Sequence, residues 1–171
     1  GALFYSFSKG LGGEMLGTNA YYLFSPLNLL LLFFPGKWLT SGVMALTLIR
    51  YGLAGLTTAW QLIKTRLQAG WRIWAFSTAY ALNGWMIANQ LNMIWLDALI
   101  ILPLIIWGLL RLLHEGRPGT YIAWLAVMMI DNYYMAWMIC LFTILVVAWQ
   151  LPTLADWRTR LAAGGRYLIS S

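Results

Sequence analysis

The stretch "NQLNMIWLDALIILPLIIWGLL", residues 89–110, places a carboxylate near the start of a strongly apolar run. A soluble core would bury the leucines and exclude the charge, whereas a membrane helix keeps both if Asp97 lies at its aqueous end. About 20 apolar residues are needed to cross a hydrocarbon core of about 30 Å. The run therefore predicts a membrane helix that begins close to one surface of the bilayer.

The rest of the chain has a similar composition. Of its 171 residues, 61% are hydrophobic and 9% are charged, whereas soluble domains are roughly 45–50% apolar and about 25% charged. Eleven tryptophans and nine tyrosines suit the headgroup level, where amphipathic rings are enriched. We therefore expect an integral membrane protein whose partner is the lipid bilayer. Its net charge of +6 reports on topology, and we expect no nucleic-acid partner.

The N-terminal part of the chain differs from the remainder. Residues 1–37 are rich in glycine, serine and aromatics and lack a membrane-length apolar run, which predicts an external loop. Within it, "LNLLLLFFP" at 27–35 is too short to span a bilayer. We interpret this segment as a short interfacial or re-entrant helix, or else as the tail of a tilted spanning helix.

The remaining sequence predicts an all-α, multi-pass transmembrane helix bundle. Residues 38–151 should form about five helices, the first three at 38–63, 73–93 and 94–113. Residues 152–171 should form a cytoplasmic basic loop and the start of a further helix. Because the last residues read as the beginning of an apolar element, we expect the chain to be an internal piece of a longer protein.

Basic residues cluster in three breaks between the apolar runs, at 64–72, 111–117 and 158–166. Cytoplasmic loops accumulate Lys and Arg, so all three breaks should face the cytoplasm and an even number of crossings should separate any two. The run at 120–151 must then fold back, and "DNYY" at 131–134 is the expected turning point. This topology places the N-terminal loop outside the cell.

Three acids, Glu14, Asp97 and Asp131, are expected at the outer side and are the candidate catalytic residues. Acids at the edge of membrane segments often mark functional sites, and a carboxylate in a partly dry pocket can act as a general base. The alternative for Asp97 and Asp131 is that they cap helix ends. Capping is favoured for Asp97, near a helix start, and function is favoured for Asp131, at a helix end that gains nothing from the dipole.

Arg50 lies in the middle of the first predicted span. By insertion scales an arginine at bilayer depth costs about 2.5–3.5 kcal/mol, so something must compensate for it. Three explanations stay open: a carboxylate on another helix, a cavity holding an anionic ligand such as a lipid phosphate, or a side chain that reaches the surface.

Motifs for other chemistries are missing from the sequence. No Cys/His spacing indicates zinc, and no phosphate-binding loop, dinucleotide pattern or nucleophile elbow is found, so we expect no metal and no cofactor. Cys140 has no second cysteine with which to pair and is interpreted as a packing residue.

Several blocks resemble the bacterial YfhO family of membrane proteins. The segment "FYSFSKGLGGEMLGTNAYYLFSPLNLLLLFFP" is similar to a family region that joins a glycine-rich loop to a "YYL-SP-N" motif. A second block is "AYALNGWMIANQLNMIWLDALIILPLIIWG", and a third is "DNYYMAWMICLF". The closing "GRYLISS" resembles the start of the next family helix, so the resemblance covers nearly all of the chain.

The resemblance implies a C-type glycosyltransferase fold and an enzyme that works on the outer face of the cell membrane. Such an enzyme would transfer a sugar, with inversion, from an undecaprenyl-phosphate-linked donor to a cell-surface polymer such as lipoteichoic acid. An acidic side chain in the first external loop, upstream of the glycine-rich stretch, is expected as the base. The resemblance also implies a site-lining role for Asp97. The candidate substrate-binding residues are Tyr21, Tyr22, Ser25, Arg50, Asn92, Trp95 and Tyr133.

The sequence is also compatible with two other functions. In a transporter or lipid flippase, Arg50 and a matching carboxylate would form a gate, and the distinguishing features would be an inverted repeat or a second buried charge. In a non-catalytic membrane scaffold, every polar residue would be a helix cap or a helix–helix hydrogen bond.

Overall fold

The computed structural model describes residues 5–6, 13–14, 25, 27–66, 70–153 and 157–170. The α-helices are α1 (Leu39–Thr65), α2 (Trp71–Ala81), α3 (Gly84–Ala88), α4 (Met93–Glu115), α5 (Gly119–Asp131), α6 (Tyr133–Gln150) and α7 (Trp157–Ser170). Three 3₁₀ helices cover Asn28–Phe33, Gly36–Trp38 and Leu151–Thr153. Two short antiparallel strands, β1 (Tyr5–Ser6) and β2 (Gly13–Glu14), pair near the N-terminus.

The all-α membrane fold expected from the composition is confirmed by these helices. Within the described residues, three segments are long and apolar enough to cross a membrane: Gly36–Thr65, Trp95–Glu115 and Tyr133–Gln150. The segment expected to be a short interfacial helix is the first 3₁₀ helix, which is separate from α1 and leaves Leu32 and Phe33 more than 80% exposed.

Helix α1 buries a single stripe of residues at helical spacing. The stripe consists of Gly42, Leu46, Arg50, Ala54, Thr58 and Gln61. Members three and four residues apart lie on one face of a helix, so this face packs against protein. Large apolar residues on the other faces, such as Leu48 and Leu56, stay exposed, as expected of a surface that meets lipid. Arg50 therefore faces the protein interior.

Helix α4 lies at the centre of the described bundle, against α1, α5, α6 and α7. It runs parallel to α1, because two contacting pairs share the same spacing of 47 residues: Arg50 with Asp97, and Trp60 with Trp107. It runs antiparallel to α5, which follows it after a short turn, and Gly108 faces the backbone of Tyr121. This parallel register fixes which side chains of α1 and α4 meet.

The span expected at 73–93 is not one continuous helix. The structure divides it into α2 and the five-residue α3, with Asn83 between them in an extended conformation. The Asn83 side chain accepts a hydrogen bond from the Met86 backbone N–H and donates one to the Tyr80 carbonyl. An asparagine followed by glycine competes with helix continuation in this way. The prediction of a single span was based on the apolar composition of residues 73–93, which does not indicate this break.

The run at 120–151 folds back at Asn132, which has an extended backbone between α5 and α6. The Tyr121 hydroxyl lies 3.3 Å from the Thr143 hydroxyl, although each residue is 11 positions from Asn132. A continuous helix would separate them by about 33 Å. The two helices therefore form a hairpin, as the spacing of the basic breaks predicted.

The basic breaks also meet at one end of the bundle. Lys64 at the end of α1 and Arg111 near the end of α4 line the same pocket. Arg166 of α7 lies next to Gly116, just beyond α4. Arg50 is 15 residues before Thr65, and Asp97 is 18 before Glu115, which places them roughly 20–27 Å from this end at 1.5 Å per residue.

Candidate functional site

A buried ion pair joins α1 and α4. Arg50 is fully buried and Asp97 is 3% exposed. The Arg50 Nε donates to Asp97 Oδ1 at 2.6 Å, and Nη2 donates to Asp97 Oδ2 at 3.2 Å. This two-point geometry is the strongest arrangement for a guanidinium and a carboxylate. It identifies the compensating group that the sequence required for Arg50.

The pair receives further polar partners from the segment that precedes α1. Ser25 is buried, and its hydroxyl donates to Asp97 Oδ2. The Asn28 side-chain oxygen accepts a hydrogen bond of 2.8 Å from Arg50 Nη2. These contacts satisfy most of the hydrogen-bonding capacity of the pair, as buried charges require.

The α5–α6 turn adds a second carboxylate to the same region. Asp131 ends the buried stripe of α5, is 5% exposed and interacts electrostatically with both Asp97 and Arg50. The Asn132 side-chain oxygen accepts from the Met135 backbone N–H and so caps α6. Four segments, the stretch before α1, α1 itself, α4 and the α5–α6 turn, therefore contribute charged or polar groups to one cluster. We call it the charge cluster: Ser25, Asn28, Arg50, Asp97, Asp131 and Asn132.

Within the part of the chain that the structure describes, three atoms of the charge cluster are buried without a hydrogen-bond partner. They are Arg50 Nη1, Asp131 Oδ2 and Asn132 Nδ2. Each unsatisfied buried polar group costs about 1–3 kcal/mol, and more when it is charged. Native proteins rarely retain such atoms unless they serve a function or bind a ligand or water. The cluster thus contains two donor atoms and one acceptor atom whose hydrogen-bonding capacity is unused.

The structure excludes one of the two roles considered for Asp97, that of a helix cap. The interpretation as a helix cap is wrong, because Asn92 occupies the cap position of α4 and the Asp97 carboxylate accepts from Arg50 and Ser25. Arg50 lies among apolar residues and requires a partner of opposite charge. This requirement outweighs the tendency of an aspartate near a helix start to act as a cap.

The structure describes three further predicted site residues that are not members of the charge cluster, and others fall outside the described residues. Asn92 is exposed, and Tyr133 is 76% exposed. Trp95 stacks on Trp85 at a centroid separation of 6.2 Å. Tyr21, Tyr22 and the side chain of Glu14 are not among the described parts of the chain.

Two members of the charge cluster, Asn28 and Asn132, were not among the candidate site residues. A signal for Asn28 existed, because a buried arginine has five N–H donors and one carboxylate cannot accept from all of them. Asn28 follows the "SP" of the N-terminal motif and supplies such an acceptor. Among the described residues, no group of three or more His, Cys, Asp or Glu side chains is arranged to hold a metal ion.

Comparison with known protein families gives one match. The sequence model of the family described as bacterial membrane protein YfhO matches residues 1–171. The comparisons with curated proteins and with solved structures each gave no match.

Proposed function

Because the chain belongs to the YfhO family of bacterial membrane proteins, we propose that it is part of a membrane glycosyltransferase. It would transfer a sugar from a polyprenyl-phosphate-linked donor to a cell-surface polymer on the outer face. The observation that carries the proposal is the charge cluster, in which a cation and a carboxylate each keep one buried atom free. Such a pair suits a reaction between a phosphate-linked sugar and a hydroxyl.

The free atoms of the cluster are complementary to the two substrates, because one can donate a hydrogen bond and the other can accept a proton. Arg50 Nη1 can donate to an oxygen of the donor phosphate, because guanidinium groups bind phosphates through charge-assisted hydrogen bonds. Asp131 Oδ2 can accept the proton of the acceptor hydroxyl. Asp97 is held by Arg50 and Ser25 and therefore acts as a positioning residue.

The proposed reaction follows from these roles. The acceptor hydroxyl oxygen forms a bond to the anomeric carbon of the sugar while the bond from this carbon to the phosphate oxygen breaks. The electron pair leaves with the polyprenyl phosphate, whose charge the Arg50 guanidinium stabilises. The hydroxyl proton passes to Asp131. Attack from the side opposite to the phosphate inverts the anomeric centre.

Replacement of Asp131 by asparagine tests the proposal. Asp131→Asn keeps the size of the side chain but removes its capacity to accept a proton, so we expect polymer glycosylation in cells to fall at least about 100-fold. The measurement is the sugar content of the surface polymer, normalised to the amount of protein in the membrane. Tyr134→Phe, which removes an exposed polar group from the same turn, is the control and should leave glycosylation unchanged.

A normalised sugar content that is equal in Asp131→Asn and wild-type cells would contradict the assigned role. A loss of protein in step with a loss of sugar would indicate that Asp131 contributes only to stability.

The buried charges also favour a second candidate, a transporter or lipid flippase gated by Arg50. The sequence had not clearly shown a second buried charge, and the structure supplies Asp97 and Asp131. The two functions differ in what Asp131→Asn changes. If the variant still transfers sugar in detergent but no longer moves a labelled polyprenyl-phosphate sugar across vesicles, the transporter is supported and the transferase is not.

A further inference from the structure

A second polar site lies at the opposite, basic end of the bundle. A pocket of about 350 Å³ opens between the last turns of α1, α4 and α6. Its lining includes Lys64, Trp107, Arg111, His114, Glu115 and Gln150. Small-ligand pockets in proteins have volumes of about 300–1,000 Å³, so this one can hold a compact polar group. It is separate from the charge cluster and plays no part in the proposed reaction.

The charges around this pocket are unbalanced. Glu115 accepts from Arg111 Nε at 3.1 Å and lies 3.9 Å from Arg117 Nη1, so one carboxylate serves two arginines. Within the described residues no carboxylate lies at ion-pair distance from Lys64, whose ammonium is 5.7 Å from the centre of the Trp60 ring. The pocket therefore has more positive than negative charge.

Capping of the helix ends does not account for these cations. Helix C-termini attract positive charge, but the effect is limited to the last turn and is weakened by salt. Both α1 and α4 already end in left-handed caps, at Arg66 and Gly116, whose backbone N–H groups bond to the final carbonyls. The cations are thus available to an anion from outside the chain.

Tryptophans next to the pocket indicate that it lies at headgroup level. Trp60 and Trp107 meet edge to face with their centres 4.6 Å apart. The Arg111 guanidinium lies over the Trp107 ring at 5.0 Å while Nη1 donates to Thr120. Rings of this type concentrate where the apolar and polar parts of lipids meet. A lipid whose anionic headgroup enters this pocket would place its acyl chains alongside α1 and α4.

We infer that this pocket binds the phosphate group of an anionic glycerophospholipid in the leaflet facing the basic end. Lys64 and Arg111 would hold the phosphate, and the acyl chains would lie along the exposed apolar faces of the helices. Basic pockets between membrane helices bind lipid headgroups in this manner. The inference does not depend on the proposed glycosyltransferase activity.

The test compares lipids with the purified, full-length protein in detergent. Native mass spectrometry should show retained phosphatidylglycerol and no retained phosphatidylcholine at equal concentration. Lys64→Gln should weaken phosphatidylglycerol binding about fivefold, the effect of about one basic residue near an anionic surface. Lys64→Arg keeps the charge and should bind as the wild type does. Arg72→Gln removes an exposed cation outside the pocket and should have no effect.

Three results would overturn the inference. One is equal retention of the two lipids, and another is an equal loss of binding in Lys64→Gln and Arg72→Gln. The third concerns the source of the phosphate: soluble glycerol phosphate that binds as tightly as the lipid would show that the acyl chains contribute nothing.

Discussion

At the residue scale, the main feature is a buried ion pair in which each charge requires the other as its compensating group. Arg50 and Asp97 are both buried and satisfy each other through two hydrogen bonds. Removal of one partner from a buried pair is strongly destabilising, because the other charge loses its compensation, whereas replacement of both by apolar residues is often nearly neutral. The pair therefore connects two helices without necessarily adding net stability.

A double-mutant cycle measures this coupling. Asp97→Leu alone and Arg50→Met alone should each lower the free energy of unfolding by about 3–5 kcal/mol. The double variant should recover most of that loss, because no buried charge remains. Thermal or denaturant unfolding of the purified protein in detergent is the measurement.

The same double variant separates stability from function. It should fold and yet lack polymer glycosylation, because the proposed phosphate-binding guanidinium is gone. If Asp97→Leu alone is as stable as the wild type, the ion pair does not exist in the folded protein.

At the element scale, the approach of α4 to α5 depends on a missing side chain. A Cβ at Gly108 would lie 2.7 Å from the backbone nitrogen of Tyr121 and 2.8 Å from its Cα. These are backbone atoms, which cannot rotate away, so the helices would have to separate. Helix interfaces in membranes commonly use small residues for this reason. Separation of α4 from α5 would also shift Asp131 relative to Asp97.

Alanine at two helical glycines tests the close contact. Gly108→Ala should destabilise the protein by about 1–3 kcal/mol, the usual cost of overpacking. Gly52→Ala is the matched control, because a Cβ there meets nothing within 4 Å. In that variant the better helix propensity of alanine should leave stability unchanged or raise it by up to about 1 kcal/mol. Equal unfolding midpoints in the two variants would be incompatible with the described α4–α5 packing.

At the scale of the whole molecule, the basic breaks and the two buried carboxylates lie towards opposite ends of the bundle. The basic breaks meet at one end, where Lys64 and Arg111 share a pocket. The carboxylates Asp97 and Asp131 lie towards the other end, together with the turn at Asn132. Because cytoplasmic loops accumulate basic residues, we expect the first end to face the cytoplasm and the charge cluster to lie towards the exterior.

Cysteine labelling in whole cells tests this orientation. In a Cys140→Ser background, Tyr133→Cys should react with a maleimide that cannot cross the membrane, because Tyr133 is exposed beside the hairpin turn. Arg66→Cys and Arg117→Cys should react only after the cells are opened. Labelling of all three positions from one side would refute the orientation and remove the basis for an extracellular reaction.

The sequence alone determined the features that follow from local composition. Long apolar runs predicted α1, α4 and α6, because each buried or lipid-facing residue contributes to the hydrophobic effect independently of its partners. The spacing of the basic breaks predicted the reversal near Asn132. The charge on Arg50, in an otherwise apolar span, showed that a compensating group had to exist.

Only the tertiary structure determined which group compensates the charge of Arg50 and which other residues lie beside the ion pair. Asp97 is 47 residues from Arg50, and the two meet only because α1 and α4 run parallel in one register. A sequence that permits Asp97 to cap its own helix or to pair with a distant arginine does not distinguish the two outcomes. The register results from contacts summed along whole helix faces. No local pattern encodes that sum, and the position of Asp131 beside the ion pair depends on it.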